Sequence, residues 1–343
     1  MILIGLLIIA IGAFCQSSSY VPINKIKSWS WESYWIVQGV FAWLILPFLG
    51  LLLAIPPGCT ISGLLHSVEP LNIWLTITFG VLWGVGGLTF GLSMRYLGVA
   101  LGQSIALGTC AGLGTILGPV LLQIFFPEND PISQLTWAVI IGVIVTLAGI
   151  SIIGVAGSMK ASSLSEEEKK KAVKDFNFPK GICIALLAGF MSGCFNVGLE
   201  FGAGINFGEA TPDIYKTLPA TFFVTLGGFV TNACYCFYQN GRNNTWGDYK
   251  NLDVLANNLI FCLLAGALWY SQFFGLALGK GFLLDSPTLM TLSFCILMAL
   301  NVVFSNVWGI ILNEWKGCSN KTITVLVIGI IVLIISCFIP QLI

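Results

Sequence analysis

Charge is what this chain has least of. Only 9% of its 343 residues are Asp, Glu, Lys or Arg, against roughly 25% in soluble domains. With 57% hydrophobic residues beside that, the chain cannot cover a water-facing surface. Histidine is nearly absent, His66 being the only one. Ser-His-Asp and Cys-His catalytic sets are therefore ruled out, and a metal site is not expected. No Gly-Lys-Ser/Thr follows a glycine-rich loop, which argues against an ATP-driven pump. No other enzyme or cofactor signature is present, and no basic patch beyond one short segment points to nucleic acid. Cysteine is not scarce, but nine of the 11 sit within apolar runs and only Cys59 and Cys318 fall in loops. They read as small packing residues, not as a disulfide framework.

What fills the chain instead is long apolar runs. A spanning helix needs about 20 such residues. Ten runs fit, at roughly 2–22, 33–54, 73–93, 98–125, 135–156, 181–206, 218–238, 256–278, 289–312 and 322–340. The runs are continuous, not alternating, which rules out a membrane β-barrel. The expected fold class is an all-α polytopic membrane protein in a lipid bilayer. The first run starts at residue 2 without a basic leader or a small-x-small cleavage site, so a cleaved signal peptide is not expected.

Orientation follows from the basic residues. Thirteen of the 15 Lys and Arg fall in the odd-numbered loops, and the even loops hold only Lys216 and Lys280. Basic loops stay on the cytoplasmic side. Both termini are therefore expected outside. Trp29, Trp31 and Trp35, beside Lys25 and Lys27, read as an interfacial belt on the cytoplasmic side. The longest loop, 157–180, contains SLSEEEKKKAVKDF and reads as a cytoplasmic linker carrying a short solvated helix.

The two sides of that linker resemble each other. Gly80-x-Leu82-Trp83 matches Gly266-x-Leu268-Trp269, and Ile141-Gly142-x-Ile144-Val145 matches Ile328-Gly329-x-Ile331-Val332, at offsets of 186 and 187. One duplication accounts for both. It gives a first five-helix repeat at 1–156 and a second at 181–343. Five spans is an odd number, so the copies insert in opposite senses. Inverted repeats of this kind are common in secondary transporters, with the solute site near the bilayer midplane.

Intramembrane polar residues are the functional candidates, because each is costly to insert. Glu200 is the one acidic residue well inside a span, and a protonatable group there could couple proton entry to a solute. Asn196 lies four residues before it, on the same helix face. Gln16 and Ser17 form a polar patch at the end of the first span, and Gln103, Asn232 and Gln272 are further intramembrane amides. Amides and hydroxyls both donate and accept hydrogen bonds, which suits a neutral polyol. Trp83 and Trp269 occupy equivalent places in the two repeats and could stack on the C–H faces of a sugar. The same residues also fit interhelical hydrogen bonds and packing. Arg95, expected in a turn after the third span, reads as a topology anchor. Glu32, in the first turn of the second span, complements the helix dipole. Gly98/Gly102, Gly108/Gly112, Gly114/Gly118 and Gly198/Gly202 are small-xxx-small contacts.

Several segments carry a family resemblance. KIKSWSWESYW (Lys25–Trp35), WLILP (Trp43–Pro47), LWGVGGLTFGLSMRYLG (Leu82–Gly98), DFNFPKG (Asp175–Gly181), LWYSQFF (Leu268–Phe274) and NEWKG (Asn313–Gly317) span nearly the whole chain. Together they resemble the L-rhamnose–proton symporters of bacteria, within the drug/metabolite transporter superfamily. The chain departs from that pattern at Gly87, at Phe90 and around Glu200. The resemblance implies ten helices in inverted repeats, location in the inner membrane, and uptake of L-rhamnose with protons by alternating access. The alternatives are a carrier or facilitator of the same fold for another small metabolite, and a non-transporting membrane sensor.

Overall fold

The computed structural model describes residues 1–97, 99–163, 178–313 and 315–339; side chains at 94, 95, 99–101 and 178 fall outside the described set. Among the described residues there is no strand, and nine helices are long and apolar enough to cross a membrane. They are α1 (Ile2–Ser18, prolonged by a turn at Tyr20–Ile23), α2 (Trp31–Leu53), α3 (Pro70–Leu97), α4 (Val99–Phe125), α5 (Trp137–Ser162), α6 (Phe178–Phe201), α7 (Leu218–Asn243), α8 (Leu252–Lys280) and α9 (Pro287–Ile311). A shorter apolar helix, α10 (Asn320–Ser336), follows. Helix starts follow ordinary capping chemistry. Thr136, Asn251 and Ser319 each accept a hydrogen bond from a first-turn amide, satisfying a donor the helix leaves orphaned.

Two expectations shift. The third helix runs on through Leu97, so Arg95 lies on its last turn and not in a loop; its side chain is outside the described residues. The solvated helix expected in the linker falls largely on 164–177, also outside them.

The chain divides into two compact units. The first is Met1–Gly84 with Gly198–Leu284, and the second is Val85–Val197 with Asp285–Ile343. Each draws on both halves of the sequence. The boundaries fall inside α3 and α6, so each of these helices contributes one end to each unit.

In the first unit α1 lies along α8, and α2 packs on α7 and α8. The α1–α8 contact is backbone to backbone: a Cβ added at Gly5 would stand 2.8 Å from the Gly279 carbonyl oxygen, and one at Gly12 2.8 Å from that of Ser271. Such closeness lets dispersion act where lipid removes the hydrophobic drive. In the second unit α5 lies along α10 and α4, with α9 packed on α4 and α5. Here the seams are glycine against branched side chains, Gly142 on Leu292 and Gly149 on Leu333. The pair Gly198/Gly202 does serve close packing, meeting Val224 and Ala220 of α7.

Candidate functional site

The site begins with a proline. Pro47 has no N–H to give to the carbonyl four residues back, and its ring crowds that carbonyl. Immediately before it, α2 widens into a π turn at Val40–Ile45, a distortion that recurs at functional sites. Trp43 sits on that turn. Its indole lies over Gly39, where a Cβ would stand 2.5 Å from the ring.

Trp43 then meets two other tryptophans edge-on. Its ring centroid is 6.0 Å from Trp83 of α3 at an interplanar angle of 89°, and 5.9 Å from Trp269 of α8 at 83°. Trp83 and Trp269 are 5.7 Å apart and tilted by 33°. Trp83 is seated on Gly228 of α7, where a Cβ would collide with the ring. Trp43 is buried at 2% exposure, whereas Trp83 and Trp269 are half-buried. Trp35, 5.6 Å from Trp43, donates its indole N–H to Asn232 Oδ1 at 2.9 Å, and Asn232 returns its amide to the Gly228 carbonyl at 2.8 Å. All these residues belong to the first unit, and Trp43, Trp83, Trp269 and Asn232 lie in the middle of their helices.

The structure thus brings together Trp83 and Trp269, with Asn232 joined through Trp35. Gln272, buried, is one turn beyond Trp269, and Phe273 packs 5.2 Å from that indole. Gln16, half-buried, and Ser17, buried, follow the stretch of α1 whose Gly12 touches Ser271 and Gln272. Other candidates lie apart. Gln103 and Asn196 belong to the second unit, where Asn196 donates to the Gly114 carbonyl at 2.8 Å. Glu200, at the end of α6, faces Lys280 in the last turn of α8 with 3.8 Å between Oε1 and Nζ. Lys280 is 11 residues past Trp269, about 16 Å along the helix.

A second polar assembly caps the start of α2. Glu32 is buried at 6% exposure and accepts from Asn243 Nδ2 and Thr245 Oγ1, both at 2.9 Å. Thr245 Oγ1 also lies 2.7 Å from Asn240 Oδ1, so its single proton serves one acceptor at a time. The chain reaches back to Glu32 because Asn244, at φ 56°, ends α7 in the left-handed conformation, which asparagine tolerates. Asp248 Oδ2 accepts from Ser30 N at 2.8 Å and Ser30 Oγ at 2.6 Å. Burial would push the Asp248 carboxyl up, but the hydrogen bonds from Ser30 and Ser33 hold it below its ordinary value. Of the three belt tryptophans, Trp31 is 40% exposed, while Trp29 is buried and donates to the Asp248 carbonyl at 2.8 Å. Glu32 is therefore a long-range structural tie as well as a first-turn acid. Sequence reasoning missed these partners because they lie more than 200 residues away. Among the described residues, no group of three or more His, Cys, Asp or Glu could hold a metal ion.

The long apolar helices along the described residues define a multi-pass membrane protein. The family profile of the L-rhamnose-proton symport protein (RhaT) matches residues 1–342, and the chain belongs to that family. It is similar to proteins named L-rhamnose-proton symporter from Yersinia pestis (strain Pestoides F) and Yersinia pseudotuberculosis serotype O:1b (strain IP 31758). In each case identity is 31% over 98% of this chain and 96% of the relative. These relatives are symporters and not enzymes.

Proposed function

We propose that the protein imports L-rhamnose, a 6-deoxyhexose, together with protons across the bacterial inner membrane by alternating access. The observation that carries this reading is the family match over 1–342 with relatives of that name. The site chemistry agrees with it. Trp83 and Trp269 offer half-buried rings to the C–H face of a sugar, and Asn232, Gln272, Gln16 and Ser17 supply neutral donors and acceptors for its hydroxyls. Gln103 and Asn196 are the candidates the second unit adds. Glu200 is the candidate for proton coupling, with Lys280 as its partner when ionised. A proton moving down a potential of 100 mV supplies about 2.3 kcal/mol. Sugar and proton each favour the transition only by their differential affinity for its two states.

The proposed architecture is ten spans in two inverted repeats, 1–156 and 181–343, joined by a cytoplasmic linker, with both termini periplasmic. Two like contacts support the duplication. Gly12 of α1 touches Gln272 of α8 in the first unit, and Ser192 of α6 touches Gly86 of α3 in the second. Gly86 and Gln272 are separated by 186 residues, the same offset as Trp83 and Trp269.

Uptake of labelled L-rhamnose into membrane vesicles, with and without an imposed pH gradient, tests the function. Accumulation driven by the gradient is expected. No uptake would sink the symport reading, and uptake unaffected by a protonophore would leave a facilitator.

A further inference from the structure

Two polar atoms on α2 stand out beside the tryptophan cluster. Trp43 Nε1 and Gln38 Oε1 are buried without a hydrogen-bond partner among the described residues. Both residues are 2% exposed. Native proteins leave few buried polar atoms unsatisfied, and each such atom calls for a reason. The neighbouring indoles make the contrast plain. Trp35 donates to Asn232 and Trp29 donates to the Asp248 carbonyl. Trp43, in contact with the other two rings of the cluster, donates to no acceptor among the described residues.

The two residues are five apart in the sequence, and the π turn begins between them. The Gln38 backbone carbonyl lies against α8, where a Cβ added at Gly266 would be 3.0 Å from it. Gly266 is three residues before Trp269, whose ring Trp43 contacts. The Gln38 backbone and the Trp43 indole therefore sit beside neighbouring turns of the same helix. One of the free atoms is a donor and the other an acceptor. A hydroxyl group is both. An anion would satisfy the indole N–H and face the amide oxygen unfavourably; a cation would do the reverse. The pair suits a neutral polyhydroxy compound.

We propose that Trp43 Nε1 and Gln38 Oε1 are specificity-determining contacts of the solute site, the indole donating to and the amide oxygen accepting from hydroxyls of a neutral sugar stacked on Trp83 and Trp269. The inference rests on the sugar-transport reading and names contacts that reading did not contain.

Its test is direct binding of L-rhamnose to the purified full-length protein, measured by calorimetry. Trp43→Phe keeps a ring against Trp83 and Trp269 and removes the N–H. Gln38→Met keeps side-chain length and removes the oxygen. Each is expected to weaken binding about fivefold to tenfold, the effect of one neutral hydrogen bond. Without sugar, Gln38→Met should melt near wild type, and Trp43→Phe should melt lower only by the packing that its smaller ring gives up. The rise in melting temperature on adding L-rhamnose should shrink in both. A monodeoxy analogue lacking the hydroxyl held by Trp43 should bind wild type and Trp43→Phe equally. Unchanged affinity in both variants overturns the assignment while leaving the transport reading intact. A variant that melts lower yet binds normally shows a packing role and also overturns it. Wild-type protein that binds no L-rhamnose overturns both readings.

Discussion

The two compact units are built from the same kinds of helix but use them differently. Eight of the eleven tryptophans lie in the first unit, at 29, 31, 35, 43, 74, 83, 246 and 269, and only three in the second. The first unit places large rings on bare backbone, Trp43 over Gly39 and Trp83 over Gly228. It also holds the Glu32, Asn240, Thr245 and Asp248 assembly. The second unit places aliphatic chains on bare backbone, with Leu292 on Gly142 and Leu333 on Gly149, and its long-range polar ties among the described residues include Thr146 to Ser336 at 3.0 Å and Asn196 to Gly114 at 2.8 Å. Glycine thus seats rings and also brings helices close in the first unit, as at Gly5 and Gly12, and in the second it seats aliphatic chains.

That contrast can be broken or sharpened by substitution. The largest effect is expected at the edge of the first unit, where Glu200 meets Lys280. Glu200→Gln should abolish uphill accumulation of L-rhamnose in vesicles and leave counterflow exchange in place; accumulation that survives makes the ion pair purely structural.

Next comes Gly228→Ala. The added Cβ collides with Trp83, and overpacking of this kind costs about 1–3 kcal/mol. L-rhamnose binding should weaken about tenfold as the ring is displaced, a change equivalent to about 1.4 kcal/mol. Binding titrations on the purified protein read it, and wild-type affinity would show that the ring is no platform.

A smaller effect is expected in the polar cap. The Asp248 carboxyl is held below its ordinary value of about 3.9 by the hydrogen bonds from Ser30 and Ser33, against the opposing effect of burial. A depressed folded value means that this stabilisation is complete above pH ~4 and is lost as pH falls through the folded value. Asp248→Asn should lower the melting temperature at neutral pH and flatten its fall on acidification. Melting curves from pH 7 to pH 3 measure both, and an unchanged slope would remove Asp248 from the account.

The smallest effect is predicted for the second unit's counterpart, Gly108→Ala. Its Cβ would stand 3.6 Å from Leu147, an ordinary contact. Uptake should be unchanged and stability equal or slightly raised, since alanine favours helix over glycine by about 1 kcal/mol. A loss of uptake comparable to that of Gly228→Ala would erase the difference drawn between the units.

Much of the fold was legible in the sequence. Hydropathy placed the long helices to within about six residues at their ends, because a membrane span must satisfy its backbone within itself. The shared offset of Trp83 and Trp269 marked both as candidates, and their contact at 5.7 Å is read from the structure. Trp43 was not so marked: in WLILP it reads as one more apolar residue, and only the π turn and the rings around it single it out. Asn196 and Glu200 share a helix face in sequence, yet one bonds to Gly114 and the other pairs with Lys280. Spacing along one helix does not say which neighbours stand opposite.

The π turn at Val40–Ile45 also sets an angular register. On one side of it α2 carries Glu32 and Ser33 to their partners on and after α7; on the other it presents Gly50 to the Tyr270 hydroxyl of α8. One residue turns an α-helix by about 100°. Removing a single residue from this segment would restore a regular helix and swing its two ends out of phase, so that either the polar cap or the Tyr270 contact must let go. The wide turn acts as a one-residue vernier, and the length of WLILP's surroundings is as much a part of the site as the tryptophan within it.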